Sequence, residues 1–231
     1  MLTLVSGFSI ASEQPDHSIW DRFLGEFVSS SGTVNYKGMK IKMDTLDSYL
    51  LELKNHGPSS DWTKNEKMAY YINAYNAYTV KFVLTKMPVE SVKDISFSGK
   101  DIWNFKYVVL GATTYTLSQV ENDILRKMDD ARIHFAINCA SYSCPKLLNK
   151  AYMPDKLNAQ LTAATKGYIN DPKHNIISEK KVQLSEIFSW YAEDFTTETS
   201  TLIDFLNQYS TVTISPTAKI EYLPYNWALN D

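Results

Sequence analysis

Along residues 18–29, SIWDRFLGEFVS, the apolar side chains Ile19, Trp20, Phe23, Leu24 and Phe27 recur at helical spacing with polar residues between them, which predicts an amphipathic helix. Ser30, Ser31 and Gly32 end it, and TVNY follows as a short extended piece. Asp44 is placed to cap a second helix, TLDSYLLELKNHG, with Gly57 and Pro58 as its stop signal. Thr63 and Glu66 form a T-x-x-E capping box at the head of a long segment, TKNEKMAYYINAYNAYTVKFVLTKM, which Pro88 terminates.

Beyond it the pattern shortens. In NFKYVVLGATTYTL, residues 104–117, β-branched and aromatic residues flank Gly111-Ala112, so a hairpin is predicted. Ser118 and Glu121 supply a second capping box, for QVENDILRKM. RIHFAIN reads as a strand and CASYSC as a loop, and Pro145, a residue favoured at the first helical position, opens a further helix. Pro154 and Asp155 begin another, to about Ile169; NIIS and KVQLS form a second hairpin; Ser185 caps EIFSWYAEDF; and TSTLIDFLNQY precedes an edge-like KIEYL and the closing LPYNWALND. Helices dominate and strands are short, with neither βαβ alternation nor an internal repeat. The expected fold class is α+β: a single helix-rich globular domain over residues 18–231, with short antiparallel hairpins and one central strand.

Composition narrows the function classes. The chain has 231 residues, 44% of them hydrophobic, enough to build a substantial core without metals or disulfides. With 23 basic against 26 acidic residues, a net charge of -3 and no basic run, nucleic acid is not an expected partner. No stretch approaches the roughly 20 apolar residues of a membrane span, so no transmembrane segment is expected. Residues 1–17 form an apolar N-terminal segment: the run Leu2 to Ile10, followed by Ala11 and Ser12, resembles the end of a secretory signal peptide but lacks a basic n-region. It reads either as a signal-peptide remnant or as a segment packed on the domain, which leaves export, to periplasm or outside the cell, and a cytoplasmic location both open. The partner is expected to be a small molecule or peptide, and no cofactor is expected.

Candidate chemistry concentrates in RIHFAINCASYSCPKL, residues 132–147, which holds the chain's two cysteines. On a strand, side chains alternate, so His134 and Cys139 would diverge and stand roughly 16 Å apart at about 3.3 Å per residue. Cys139 is therefore read as a buried structural thiol. Cys144, ahead of Pro145, is read as the N-cap of a helix whose amide end stabilises a thiolate, which makes it the candidate nucleophile. His134 is the candidate base, and Glu121 the acid that orients it. Asn73 and Asn76, three apart on one helix face, either satisfy the backbone of a neighbouring loop or line a pocket above CASYSC. Arg126 and Arg132 either bind an acidic ligand or pair with Asp129 and Asp130. A different outcome is a Cys139–Cys144 disulfide, worth roughly 2 kcal/mol by loop-closure entropy. A metal site is not expected, because no C-x-x-C or H-x-x-x-H spacing is present.

The strings AYYINAYNAYTV, ARIHFAINCASYSCPKL, LSEIFSWYAEDF and IEYLPYNWALN resemble, in order, the signature segments of the domain-of-unknown-function family 547, over about Trp20 to Asn230. The resemblance brings no assigned reaction. Glu121, Arg126, Arg132, His134, Cys139, Ser141, Ser143 and Cys144 match the family's pattern, whereas Asn122 stands where the family has a histidine. It therefore implies where the site lies more than what the site does. The functional expectation is a cysteine-dependent hydrolase or transferase acting on an amide or ester, with Cys144, His134, Glu121 and Cys139 as its catalytic set and Asn73, Asn76, Arg126, Arg132, Ser141 and Ser143 as its substrate-binding set. The alternative is a non-catalytic ligand- or protein-binding module whose loop is pinned by a Cys139–Cys144 bridge.

Overall fold

The structure is a computed structural model that describes residues 13–197 and 199–231; the apolar run Leu2 to Ile10 lies outside them. Helix α1 (His17–Phe27) starts at Asp16, whose carboxylate accepts from the Ser18 amide at 2.9 Å, and it buries Trp20, Phe23, Leu24 and Phe27. In TVNY only Val34 pairs as a strand would, with Val28; Asn35 then caps a short α2 (Tyr36–Ile41) by accepting from the Gly38 amide. Helix α3 (Met43–Asn55) begins one residue before Asp44, so the expected cap lies inside the first turn, and Lys42 alone separates α2 from α3.

Helix α4 (Lys64–Lys86) carries both halves of the Thr63–Glu66 capping box. Most of its side chains from Met68 to Leu84 are buried, because α2, α3 and the helical stretch after the second hairpin all pack on it. It is the axis of the larger core.

Two antiparallel hairpins follow: β1 (Ser96–Phe97) with β2 (Lys100–Asp101), and β3 (Val108–Leu110) with β4 (Thr113–Tyr115). The second turns at Gly111, whose φ of +57° suits glycine. Gly57 lies against that turn, and a Cβ added to it would come within 2.6 Å of the Gly111 Cα. Backbone cannot yield as a side-chain tip can. Gly57→Ala is expected to cost about 1–2 kcal/mol through this overlap and to lower the thermal midpoint by roughly 2–8 °C in a calorimetric melt; an unchanged midpoint would show that the loop moves aside freely.

The expected Ser118–Glu121 box is displaced by two residues. Thr116 and Gln119 make the reciprocal bonds, because β4 ends at Tyr115 and the chain turns at once into α5 (Leu117–Gln119). This helix continues as a π-helical segment, Val120–Leu125, and a 3-10 turn, Arg126–Met128, closed by Asp129 at φ +49°.

RIHFAIN is not a strand. Asp130 accepts from the Arg132 amide at 3.1 Å and starts a 3-10 turn, Ala131–Phe135, in which the Ala136 amide bonds the Ile133 carbonyl. The physical reason is where the side chains go. Ile133, Ala136 and Ile137 enter the core around α4, while Phe135 enters a second core formed with α6 (Leu157–Ile169) and the elements after it. A strand would have put Ile133, Phe135 and Ile137 on one face.

The helix expected from Pro145 is also absent, and residues 145–156 run irregularly to α6. The Pro145 carbonyl, which a helix would use, accepts instead from Asn138 Nδ2 at 2.7 Å.

The second core is covered by a mixed sheet of β5 (Ile176–Ile177), β6 (Lys181–Ser185) and β7 (Lys219–Leu223), with β6 antiparallel to β5 and parallel to the edge strand β7. Ser185 ends β6, and its hydroxyl accepts both from Tyr168 at 2.8 Å and, as a cap would, from the Ile187 amide at 3.4 Å; EIFSWYAEDF then breaks at Tyr191 into α7 (Ile187–Trp190) and α8 (Ala192–Phe195). Helix α9 (Leu202–Tyr209), capped by Thr201, completes this half. The fold is α+β, built of helices, short antiparallel hairpins and a small mixed sheet. Among the described residues no helix is long and apolar enough to cross a membrane.

Candidate functional site

The CASYSC loop is held from two sides. From α4, Asn76 donates through Nδ2 to the Ala136 carbonyl (3.0 Å) and accepts through Oδ1 from the Asn138 amide (2.7 Å); Asn138 Oδ1 in turn accepts from the Ala140 amide at 2.9 Å. Ala140 is fixed at φ +66°, a conformation unfavourable for a residue with a Cβ. From the other side, the segment after β7 accepts from the Tyr142 amide through Ala228 O (2.7 Å) and from the Ser143 amide through Asn226 O (3.2 Å), and the Asn226 amide donates to Ser143 Oγ at 2.9 Å. These bonds do what a disulfide was expected to do. Both thiols are free.

Asn73, a turn earlier on α4, acts in the same way on another segment, bonding both the amide and the carbonyl of Tyr152. Neither asparagine lines the cavity beside the loop.

That cavity, of about 370 Å³, brings Cys139, Cys144, His134 and Glu121 to a common wall. The divergence expected of His134 and Cys139 disappears because the chain between them is a 3-10 turn and a loop rather than a strand. The two cysteines exchange their expected characters. Cys144 is 7% exposed and stands at no helix N-terminus; its Sγ accepts from the Cys139 amide at 2.9 Å, and burial pushes its thiol up. Cys139 is half-buried. Its thiol is drawn down to about 7, first by the hydrogen bond from Cys144, then by Ser141 (Oγ at 3.0 Å) and Tyr225 (OH at 3.5 Å), against the opposing effect of burial. The more acidic sulfur is the one that faces three donors.

His134 is buried, with its ring stacked on Tyr191 at 4.0 Å. Its Nε2 lies 2.7 Å from Asp194 Oδ2, and its Nδ1 is buried without a partner. Arg126 grips the same carboxylate through Nε (2.7 Å) and Nη2 (2.8 Å) and donates from Nη1 to Asn122 Oδ1 (3.0 Å). Burial alone would raise Asp194, but the bonds from His134 and Arg126 outweigh it and hold the carboxyl well below the usual range. Glu121 lies in the π-helical segment, where its two oxygens accept from Tyr191 (2.5 Å) and Tyr75 (3.1 Å). Burial raises both phenols, so they remain donors at neutral pH. Glu121 does not touch the His134 ring nitrogens; the acid that orients His134 is Asp194.

Arg132 binds Asp130, Asn158 and Thr162, and Arg126 binds Asp194 and Asn122; neither lines the cavity. Ser141 touches the Cys139 sulfur, and Ser143 anchors the C-terminal segment. Sequence reasoning missed Asp194, Tyr191, Tyr225, Trp190 and Trp227. Asp194 and Tyr225 reach His134 and Cys139 across 60 and 86 residues, a separation over which no spacing rule operates. Among the described residues, no group of three or more His, Cys, Asp or Glu side chains is placed to hold a metal ion.

Residues 59–169 match the model of a family described as a protein of unknown function, DUF547. The match spans Glu121, His134, Cys139 and Cys144 and stops short of Asp194 and Tyr225, so the chain resembles this family over the region that carries both thiols. No curated protein and no solved structure matches the chain.

Proposed function

We propose that the protein is a thiol-dependent hydrolase or transferase acting on an amide or ester, with Cys139 rather than Cys144 as nucleophile. One observation carries the reading: an acidified thiol and a buried imidazole, its Nε2 fixed by a carboxylate, share the wall of one cavity. Asp194 accepts the Nε2 proton, which leaves the buried, unpartnered Nδ1 as the nitrogen that exchanges protons with substrate once a bound ligand displaces the side chains over it. The Cys139 thiol passes its proton to Nδ1 and, as the thiolate, adds to the acyl carbon; a C–S bond forms, and the C–N or C–O bond breaks as the leaving atom takes that proton from Nδ1. Water, giving its proton back to Nδ1, then cleaves the thioester; in a transferase an amine or alcohol takes the water's place. His134 is not among the hydrogen-bond partners of the Cys139 sulfur, so the proton travels through substrate or water in the cavity, a looseness common before substrate binds. That same gap favours the second reading, a non-catalytic binding module.

Incubation with p-nitrophenyl acetate, acid quench and peptide mass mapping separate the two. The enzyme reading expects a burst of nitrophenolate and an acetyl group on Cys139. An unmodified Cys139, or an adduct confined to Cys144, refutes it and leaves the binding module.

A further inference from the structure

The wall of the cavity carries an electrostatic imbalance. Glu121 is only 6% exposed, and its oxygens accept from two neutral phenols. Among the described residues it makes no ion pair, although buried carboxylates ordinarily keep a counter-charge. Arg126 feels its charge but is held bidentately by Asp194 and does not line the cavity. Among the described residues no lysine or arginine does.

The same cavity is lined by a cluster of aromatic rings in contact with one another. Tyr225 and Trp227 lie 4.5 Å apart between centroids, Trp190 is 4.9 Å from Tyr225 and stacks on Trp227 at 5.7 Å, and Trp103 meets Trp227 edge-on at 5.8 Å. Three of the chain's five tryptophans thus sit on one cavity, and Trp190, 47% exposed, opens it to solvent. The ring face of Trp227 already attracts one cation, the Lys93 ammonium at 4.4 Å, which does not line the cavity.

An anion entering here would meet a carboxylate and an acidic thiol with no lysine or arginine to receive it, and the one imidazole on the wall, His134, is already paired with Asp194. A neutral ring would stack on the indoles but leave Glu121 without a counter-charge. A cation satisfies both the carboxylate and the rings, since indole faces carry negative electrostatic potential. We infer that the cavity takes a cationic ligand, a primary or quaternary ammonium, with its charge between Glu121 and the faces of Trp103, Trp190 and Trp227. The inference rests on the thiol chemistry above only in making that ligand a substrate, an ester or amide bearing a positive charge; binding itself needs no reaction.

Three isosteric probes test it by tryptophan fluorescence: choline, the uncharged 3,3-dimethylbutan-1-ol and the anionic 3,3-dimethylbutanoate, each titrated against wild type and Cys139→Ser. Choline is expected to bind at least about tenfold more tightly than the alcohol, and the butanoate most weakly, in both proteins alike. Glu121→Gln should bring the choline-to-alcohol ratio toward one. Trp190→Leu, at a half-exposed ring whose loss leaves the cores intact, should weaken choline by about fivefold. Equal or tighter binding of the alcohol, preference for the butanoate, or an undiminished ratio in Glu121→Gln overturns the inference. If p-nitrophenyl acetate leaves Cys139 unmodified while choline keeps its preference, the thiol reading fails and the cation site stands; if Cys139 is acetylated and no charge preference is seen, the cation site fails and the thiol reading stands.

Discussion

Iodoacetamide is expected to alkylate Cys139 and spare Cys144 in the native protein, at a rate that rises through a pH of about 7, below the value of about 8.5 at which an ordinary cysteine titrates. The thiolate is the attacking species, so a thiol drawn down by its neighbours gains reactivity at lower pH. Cys144 has the opposite bias, because burial holds it protonated and its hydrogen is engaged by the neighbouring sulfur. Cys139→Ser should abolish native labelling and lower acyl transfer by on the order of 10³-fold or more, as loss of a covalent nucleophile does. Cys144→Ala should leave the label on Cys139 but move the inflection up toward the ordinary thiol range, since the Cys144 hydrogen bond is the largest influence lowering it. Equal labelling of both thiols in the native state, or an inflection already in the ordinary range, contradicts the assignment.

The second large effect is expected of Asp194→Asn. The wild-type carboxylate joins Arg126 of the helical stretch after β4 to His134 of the 3-10 turn, so its loss unties two segments from α8. Side chains that are 21% and 28% exposed keep some of their hydration, so the cost should fall below that of breaking a fully buried pair, at about 2–3 kcal/mol. The sign of its pH dependence follows from the lowered carboxyl. A depressed native pKa contributes stability that is complete above the unfolded value, about 4, and fades as the pH falls through the native one. The stability gap between wild type and Asp194→Asn, measured by urea unfolding, should therefore be full at pH 7 and narrow below about pH 4.

The same substitution separates positioning from nucleophilicity. Neither Asp194 nor His134 is among the groups that acidify Cys139, so the alkylation inflection should stay where it is in wild type. Acyl transfer should drop by on the order of 10²–10⁴-fold, because an amide oxygen orients imidazole less firmly and does not stabilise its charged form. A variant that keeps the wild-type rate would remove His134 from the reaction, whatever Cys139 does.

The sequence by itself determined the features that depend on a few neighbouring residues. The Thr63–Glu66 box and Pro88 bound α4, Gly111 marks the β3–β4 turn, and the alternating KVQLS forms β6, because capping, periodicity and turn chemistry act within about one turn of chain. The stretch 132–147 was legible as the place to look, by its cysteines and its family motif, and Glu121, His134, Cys139 and Cys144 do meet there. Only the tertiary structure decided how. Ile133 and Phe135 diverge because two cores flank the segment, and no periodicity rule anticipates a second core. Pro145 carries a good helix-start signal, yet Asn138 takes its carbonyl. Which sulfur is acidic turns first on the hydrogen bond that Cys144 gives Cys139, then on Ser141 and on Tyr225, brought back from the chain's end, and which acid serves His134 turns on Asp194, 60 residues away. Local propensities are worth a few tenths of a kcal/mol to about 1 kcal/mol each, so burial of whole side chains, at about 1.5–3 kcal/mol apiece, overrides them wherever the two conflict.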